Sequence, residues 1–133
     1  MSGLFRHRLR VRYNECDPQG VVFNANYLTY FDLTMTELWR ELGGYQGMVE
    51  SGIDMVVAEA TIRYLAPLRF DDEFEVVARI IRLGETSMTT ELVVEDGGEP
   101  AAVGELRHVF IDPDGGAKQP IPDRIRDRLS AYS

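Results

Sequence analysis

The sequence predicts an α+β domain built on an antiparallel sheet, and three observations carry that prediction. The chain opens on a strand-like alternation, switches once to helical spacing over residues 26–42, and returns to strand-like segments that run to residue 112. One helix set apart from consecutive strands is the pattern of an antiparallel sheet with its helix packed on one face. At 133 residues, 44% hydrophobic and 27% charged, the chain has the size and apolar mass of one ordinary domain, so a single domain over 1–133 is expected.

The elements follow in order. Phe5, His7, Leu9, Val11 and Tyr13 alternate with Arg6, Arg8, Arg10 and Arg12, the period of a half-buried strand. Residues 14–20 form a turn in which Pro18 fixes one φ and Gly20 admits a positive one. Leu28, Phe31, Met35, Leu38 and Leu42 then step by three and four, with Tyr27, Tyr30 and Trp39 widening the stripe, so a largely buried helix is expected over 26–42. Asn24 or Asn26 is its expected N-cap, and Gly43-Gly44 its stop. Residues 55–66 read as a strand ended by Pro67. Residues 73–83 and 87–95 pair as a hairpin across Gly84-Glu85-Thr86, and 102–112 follows the turn at 96–100. A short C-terminal helix starts with Pro122 in its first turn and aligns Ile125, Leu129 and Tyr132. Five strands and one helix leave the far face and the edges of the sheet uncovered, so self-association is expected.

Composition removes several function classes. A net charge of −8 opposes a protein that works by neutralising nucleic-acid phosphates. No apolar run reaches membrane-spanning length, and the C-terminal helix mixes Asp123 and Asp127 with its arginines, so no membrane role is expected. Residues 1–6 lack the apolar core of a secretory leader, which makes the cytoplasm the expected location. One cysteine, Cys16, and two histidines are too few for an all-protein zinc site, so no metal is expected. No phosphate-loop, dinucleotide, nucleophile-elbow or metalloprotease motif is present. His7 and His108 both fall on apolar faces and read as hydrogen-bonded core histidines, and Cys16 as a small packed side chain.

What remains is the junction Cys16-Asp17-Pro18-Gln19-Gly20-Val21-Val22-Phe23-Asn24-Ala25-Asn26-Tyr27. It sets a carboxylate in a constrained loop beside the N-terminus of the most buried helix, where unpaired N–H groups and the positive dipole end lie. Such a pair can polarise a carbonyl and supply a base or nucleophile beside it. The same residues also suit an ordinary Asx turn in which Asp17 bonds its own backbone.

The run Val11–Tyr27 resembles the signature of the hotdog-fold acyl-CoA thioesterases of the 4-hydroxybenzoyl-CoA thioesterase type: an aspartate, a small turn, Gly, two apolar residues and an Asn-Tyr helix start. Further matches are Glu37–Leu42, Tyr64–Asp72, Val109–Asp112 and Ile121-Pro122, so the resemblance spans nearly the whole chain. It implies a five-stranded antiparallel sheet wrapped around a long central helix, with a short C-terminal helix. It also implies a homodimer or homotetramer with active sites at the dimer interface. The implied reaction is hydrolysis of an acyl-CoA to a free acid and coenzyme A, without cofactor. Asp17 is then the general base or nucleophile, and the Asn24 backbone N–H polarises the carbonyl, at a position where relatives often carry His or Tyr. Gly20, Val22, Phe23 and Tyr27 are the implied substrate-binding residues. A carrier-protein thioester as substrate and a non-catalytic acyl-CoA-binding module are the alternatives. For the Arg6/Arg8/Arg10/Arg12 face and for Arg63, Arg69, Arg79 and Arg82, a solvated sheet face and a coenzyme A phosphate site compete. Tyr27, Tyr30 and Tyr64 suit either the core or an acyl pocket.

Overall fold

The computed structural model describes residues 3–133; Met1 and Ser2, part of the segment read above for a leader, lie outside them. The strands are β1 (Phe5–Arg10), β2 (Asp54–Tyr64), β3 (Glu73–Leu83), β4 (Ser87–Asp96) and β5 (Glu99–Ile111). The helices are α1 (Asn26–Glu41), α2 (Tyr45–Glu50) and α3 (Asp123–Leu129). The strands form one antiparallel sheet in the order β1-β3-β4-β5-β2, so β1 and β2 are its edges. Among the described residues no helix is long and apolar enough to cross a membrane.

One face of the sheet takes α1. Period-two alternation puts Met88, Thr90, Leu92 and Val94 of β4 inward, and all are fully buried. Opposite them α1 presents Phe31, Met35 and Leu38, each no more than 3% exposed. Trp39 meets Phe110 edge-on at 6.4 Å, and Tyr30 meets Phe74 at 4.8 Å. The Phe31 ring of α1 packs directly on Gly104 of β5, where a Cβ would stand 2.6 Å from that ring and 2.5 Å from the Thr61 carbonyl oxygen. Glycine is what that contact requires.

The outer face is charged and largely self-paired. Arg6 meets Glu75 and Glu95 at 3.4 and 3.2 Å, Arg79 meets Glu91 at 3.5 Å, and Arg107 meets Glu59 at 3.5 Å. Arg10 at the end of β1 bridges Asp71 and Glu73. These pairs are solvent-exposed and contribute little stability each, but they identify a solvated face.

Several details depart from expectation. Leu28 lies off the buried stripe of α1 at 40% exposure, while Thr34 takes an inner position and is fully buried. The N-cap is Ala25 and makes no side-chain bond, because Asn26 Nδ2 donates instead to the Glu15 carbonyl at 2.8 Å. Tyr13 is 80% exposed, since the chain leaves the strand after Arg10 and turns through a 3-10 segment, Tyr13–Glu15. Helix α2 has no sequence periodicity to announce it: six residues with Gly47 in the middle fall below what a helical stripe needs. Pro122 stands one residue ahead of α3 as its N-cap. Tyr132 lies in the 3-10 segment after α3 and meets Phe5 edge-on at 5.9 Å, tying that end of the chain to β1.

Among the described residues neither histidine ring finds the hydrogen bond that the sequence suggested. His7 is half-buried and its ring has no partner among the described residues. His108 is 5% exposed on the inner face of β5, and among the described residues neither its Nδ1 nor the Thr90 hydroxyl of the adjacent strand finds a hydrogen-bond partner. Burial disfavours the imidazolium and pushes the His108 pKa down to about 4. The unfolded chain therefore binds this proton first as pH falls. The stabilisation is complete above about pH 6.5 and drains away toward pH 4, with about 2 kcal/mol lost by pH 5. Thermal unfolding followed from pH 7.5 to 4.5 checks this: the slope below pH 6.5 should flatten in His108→Leu, and an unchanged slope refutes the assignment.

Candidate active site

The junction between β1 and α1 is built as a small folded unit. Val11, 1% exposed, anchors its start by donating its N–H to the Asp72 carbonyl at 2.9 Å. The chain then reverses at Asp17–Gly20. The Asp17 N–H donates to the Val21 carbonyl at 2.8 Å, and the Gly20 N–H donates to the Asp17 carbonyl at 2.9 Å. Gly20 takes φ +81°, which a side chain would disfavour. The returning segment is held by the Val22 N–H on the Leu68 carbonyl and by the Phe23 N–H on the Glu15 carbonyl.

The Asp17 carboxylate is half-buried. Its Oδ1 accepts a 2.8 Å hydrogen bond from the Gln19 N–H, so the Asx turn is present. Its Oδ2 has no hydrogen-bond partner among the described residues. One oxygen thus orients the group within the turn. Asp17 lines a recess of about 500 Å³ with Tyr13, Cys16, Pro18, Gly20 and Phe70. Tyr13 and Phe70 meet edge-on at 5.8 Å on its rim.

A second groove of about 310 Å³ follows along the chain from the same turn, bounded by Val21, Val22, Asn24, Tyr27, Tyr64 and Pro67. The Asn24 carbonyl accepts the Tyr64 hydroxyl at 2.9 Å. The N–H groups of Asn24 and Ala25, at the start of α1, have no partner among the described residues. They are the unpaired donors of a helix start, left open because no side chain caps it. Tyr27 is 3% exposed and meets Tyr64 at 5.2 Å and Tyr30 at 5.8 Å, so it belongs to the core as much as to the groove. Burial first, and Tyr64 less strongly, push its hydroxyl up; a backbone hydrogen bond from Leu68 partly opposes them, and the phenol stays neutral.

The candidate residues therefore divide. Asp17 and Gly20 line one recess; Val22, Asn24 and Tyr27 line the other; Phe23, 48% exposed, is among the lining residues of neither. The adjacent residues Gly20 and Val21 line the first and the second recess respectively. The sequence reading missed Glu15, whose carboxylate and carbonyl together receive four hydrogen bonds. Its only sequence signal is an acid at the third position of a short turn that begins after Arg12. Among the described residues no three His, Cys, Asp or Glu side chains group so as to hold a metal ion.

A family model described as a thioesterase-like superfamily matches residues 11–129 of this chain. The chain belongs to that thioesterase-like superfamily. The acyl-CoA thioester hydrolase YbgC of Escherichia coli is 31% identical over 112 residues, covering 83% of this thioesterase and 84% of the relative. A hypothetical protein from Aquifex aeolicus superposes with a TM-score of 0.89 at 30% identity, covering 94% of this chain and 98% of the other. The BH1999 gentisyl-coenzyme A thioesterase does so with a TM-score of 0.84 at 27% identity, covering 93% and 98%. The fold of this thioesterase is the hotdog fold, five antiparallel strands curled on one long helix, and its class is thioester hydrolase.

The chemistry of the class suits this junction. A thioester is an activated acyl group with a good leaving thiol. A positioned carboxylate and a carbonyl-polarising N–H supply the two things its hydrolysis needs, without histidine.

Proposed function

We propose that this thioesterase hydrolyses an acyl-CoA to the free acid and coenzyme A, with Asp17 and the Asn24 N–H as the working groups. The observation that supports the reading is a carboxylate with one oxygen held in the Asx turn and, seven residues on, an unpaired helix-start N–H, in recesses lined by the adjacent residues Gly20 and Val21. A thioester lying across the rim presents its carbonyl oxygen to the Asn24 N–H. As base, Asp17 takes a proton from water, whose oxygen attacks the carbonyl carbon. The C–S bond then breaks, and the thiolate leaves to be protonated by the carboxyl group. As nucleophile, Asp17 attacks that carbon itself, expels the thiolate and forms an anhydride that water cleaves.

Assembly completes this reading. Strand β2 is an edge strand exposed along nearly its whole length, with Val56, Val57 and Tyr64 46–50% exposed. Leu65, at 51%, continues the apolar strip into the Asn24 groove. A long exposed edge strand is a site for pairing with another strand, and a second copy there closes the groove at a dimer interface. Light scattering should return about twice 15.1 kDa, or four times if two dimers pair; a monomer mass at micromolar concentration overturns this part.

Arginines without an acidic partner are the ones available to coenzyme A phosphates. That removes Arg6, Arg10 and Arg79 from those singled out in the sequence, all of them ion-paired. Arg8, Arg12, Arg63, Arg69 and Arg82 have no acidic partner among the described residues, and of these Arg12 and Arg69 border the junction, Arg69 by a backbone bridge to Val21. Arg69→Ala should raise KM about tenfold with kcat within twofold, whereas Arg79→Ala should leave both unchanged; steady-state kinetics with equal KM values in all three proteins ends the assignment.

The function itself is tested by free-thiol release from a panel of aromatic and aliphatic acyl-CoAs. Turnover above background supports the reading, and the best substrate sets the depth of the acyl pocket. Turnover only with acyl groups on a carrier protein transfers it to that substrate. Binding without turnover of either leaves a non-catalytic module.

A further inference from the structure

Glu15, two residues ahead of Asp17, is the most heavily bonded group of the junction. Its Oε1 accepts hydrogen bonds from the Tyr30 hydroxyl at 2.8 Å and from the Arg12 N–H at 2.9 Å. Its carbonyl accepts from the Phe23 N–H at 2.9 Å and from Asn26 Nδ2 at 2.8 Å. These bonds reach four separate points: the exit from β1, the residue before Asn24, and the first and second turns of α1.

The far end of this tether is buried. Tyr30 is 1% exposed, with its ring packed between Tyr27 at 5.8 Å and Phe74 at 4.8 Å. A hydrogen bond to an ionised carboxylate is about twice as strong as a neutral one, and burial strengthens it further. The loop is thus fastened to the core by a charge-assisted bond two residues from Asp17. Its return is fastened to the same residue on both sides of Asn24.

We infer that Glu15, held by Tyr30, is a positioning residue that fixes the Asp17 carboxylate relative to the Asn24 N–H. The inference rests on the thioesterase reading above. A group held this way matters because a displacement of about 1 Å at a reacting centre costs up to about a hundredfold in rate. Glutamine at position 15 keeps the acceptor that Tyr30 and Arg12 use, whereas alanine removes it.

The test compares wild type, Glu15→Ala, Glu15→Gln and Tyr30→Phe, using thiol release from benzoyl-CoA and hexanoyl-CoA on protein shown to be folded. In Glu15→Ala and Tyr30→Phe, kcat should fall about ten- to hundredfold while KM moves less than threefold. Glu15→Gln should recover to within about threefold of wild type. In an Asp17→Asn background, Glu15→Ala should cost nothing further, because the residue it positions is already disabled. Wild-type kcat in both Glu15→Ala and Tyr30→Phe overturns the inference while leaving the thioesterase reading intact. Absence of turnover in wild type tells against the choice of reaction instead. Amide hydrogen exchange then decides the positioning: the Gly20 and Phe23 N–H groups should exchange at least tenfold faster in Glu15→Ala than in wild type at equal global stability. Unchanged protection overturns it.

Discussion

Asp17→Asn is expected to keep the fold and lose turnover by about 10²–10⁴-fold, the contribution of a positioned base. Asparagine is isosteric with aspartate and serves equally well in an Asx turn. Its Oδ1 can still accept the 2.8 Å bond from the Gln19 N–H, and Gly20 still closes the reversal. The substitution therefore spares the structural role and removes only the chemical one, the two readings that the sequence left open for this residue. Melting temperature and thiol release measured on the same preparation separate them. An unchanged melting temperature with collapsed kcat assigns the chemistry to Asp17. Unchanged kcat reduces Asp17 to a turn residue, and the base must then be sought elsewhere in the junction.

The largest stability effect is expected at Gly104→Ala. The new methyl would stand 2.6 Å from the Phe31 ring and 2.5 Å from the Thr61 carbonyl, between two groups that cannot retreat: a fully buried ring and the backbone of the neighbouring strand. Overpacking of this kind costs about 3 kcal/mol, which for a chain of this size lowers the melting temperature by roughly 10 °C. Gly47→Ala is the control. It lies inside α2 with nothing within 4 Å of the added carbon and no positive φ, so the same chemical change should stabilise by a few tenths of a kcal/mol to about 1 kcal/mol. Opposite signs for the two variants in thermal unfolding would support the close packing of Phe31 on Gly104; equal signs would contradict it.

What the sequence discloses follows from what repeats in it. Residues 26–41 announce α1 because an apolar stripe at steps of three and four has one physical solution, and Gly43-Gly44 supplies its stop through two left-handed residues. The β3–β4 hairpin is equally legible from its alternation and its turn. The positions that escaped are those set by a single tertiary contact. Leu28 fits the stripe and yet stays exposed. Asn26 is a good N-cap by type and is spent on Glu15. Gly104 is one glycine in a strand, and only Phe31 says why. At the candidate site, motif resemblance pointed to Asp17 and Asn24. The bond that ties their loop to Tyr30 joins residues 15 apart, and no local pattern encodes it.

Cys16 bears on how turnover is to be read out. It is the chain's one thiol, half-buried, beside Asp17 on the wall of the same recess. Reagents that score released coenzyme A by disulfide exchange react with any accessible thiolate. The enzyme itself therefore presents such a reagent with one additional equivalent per chain, located where a bulky adduct would obstruct the carboxylate. Apparent inactivation during a continuous assay would then report the colour reagent rather than the substrate. A Cys16→Ser chain, or a signal taken from loss of thioester absorbance, removes the ambiguity.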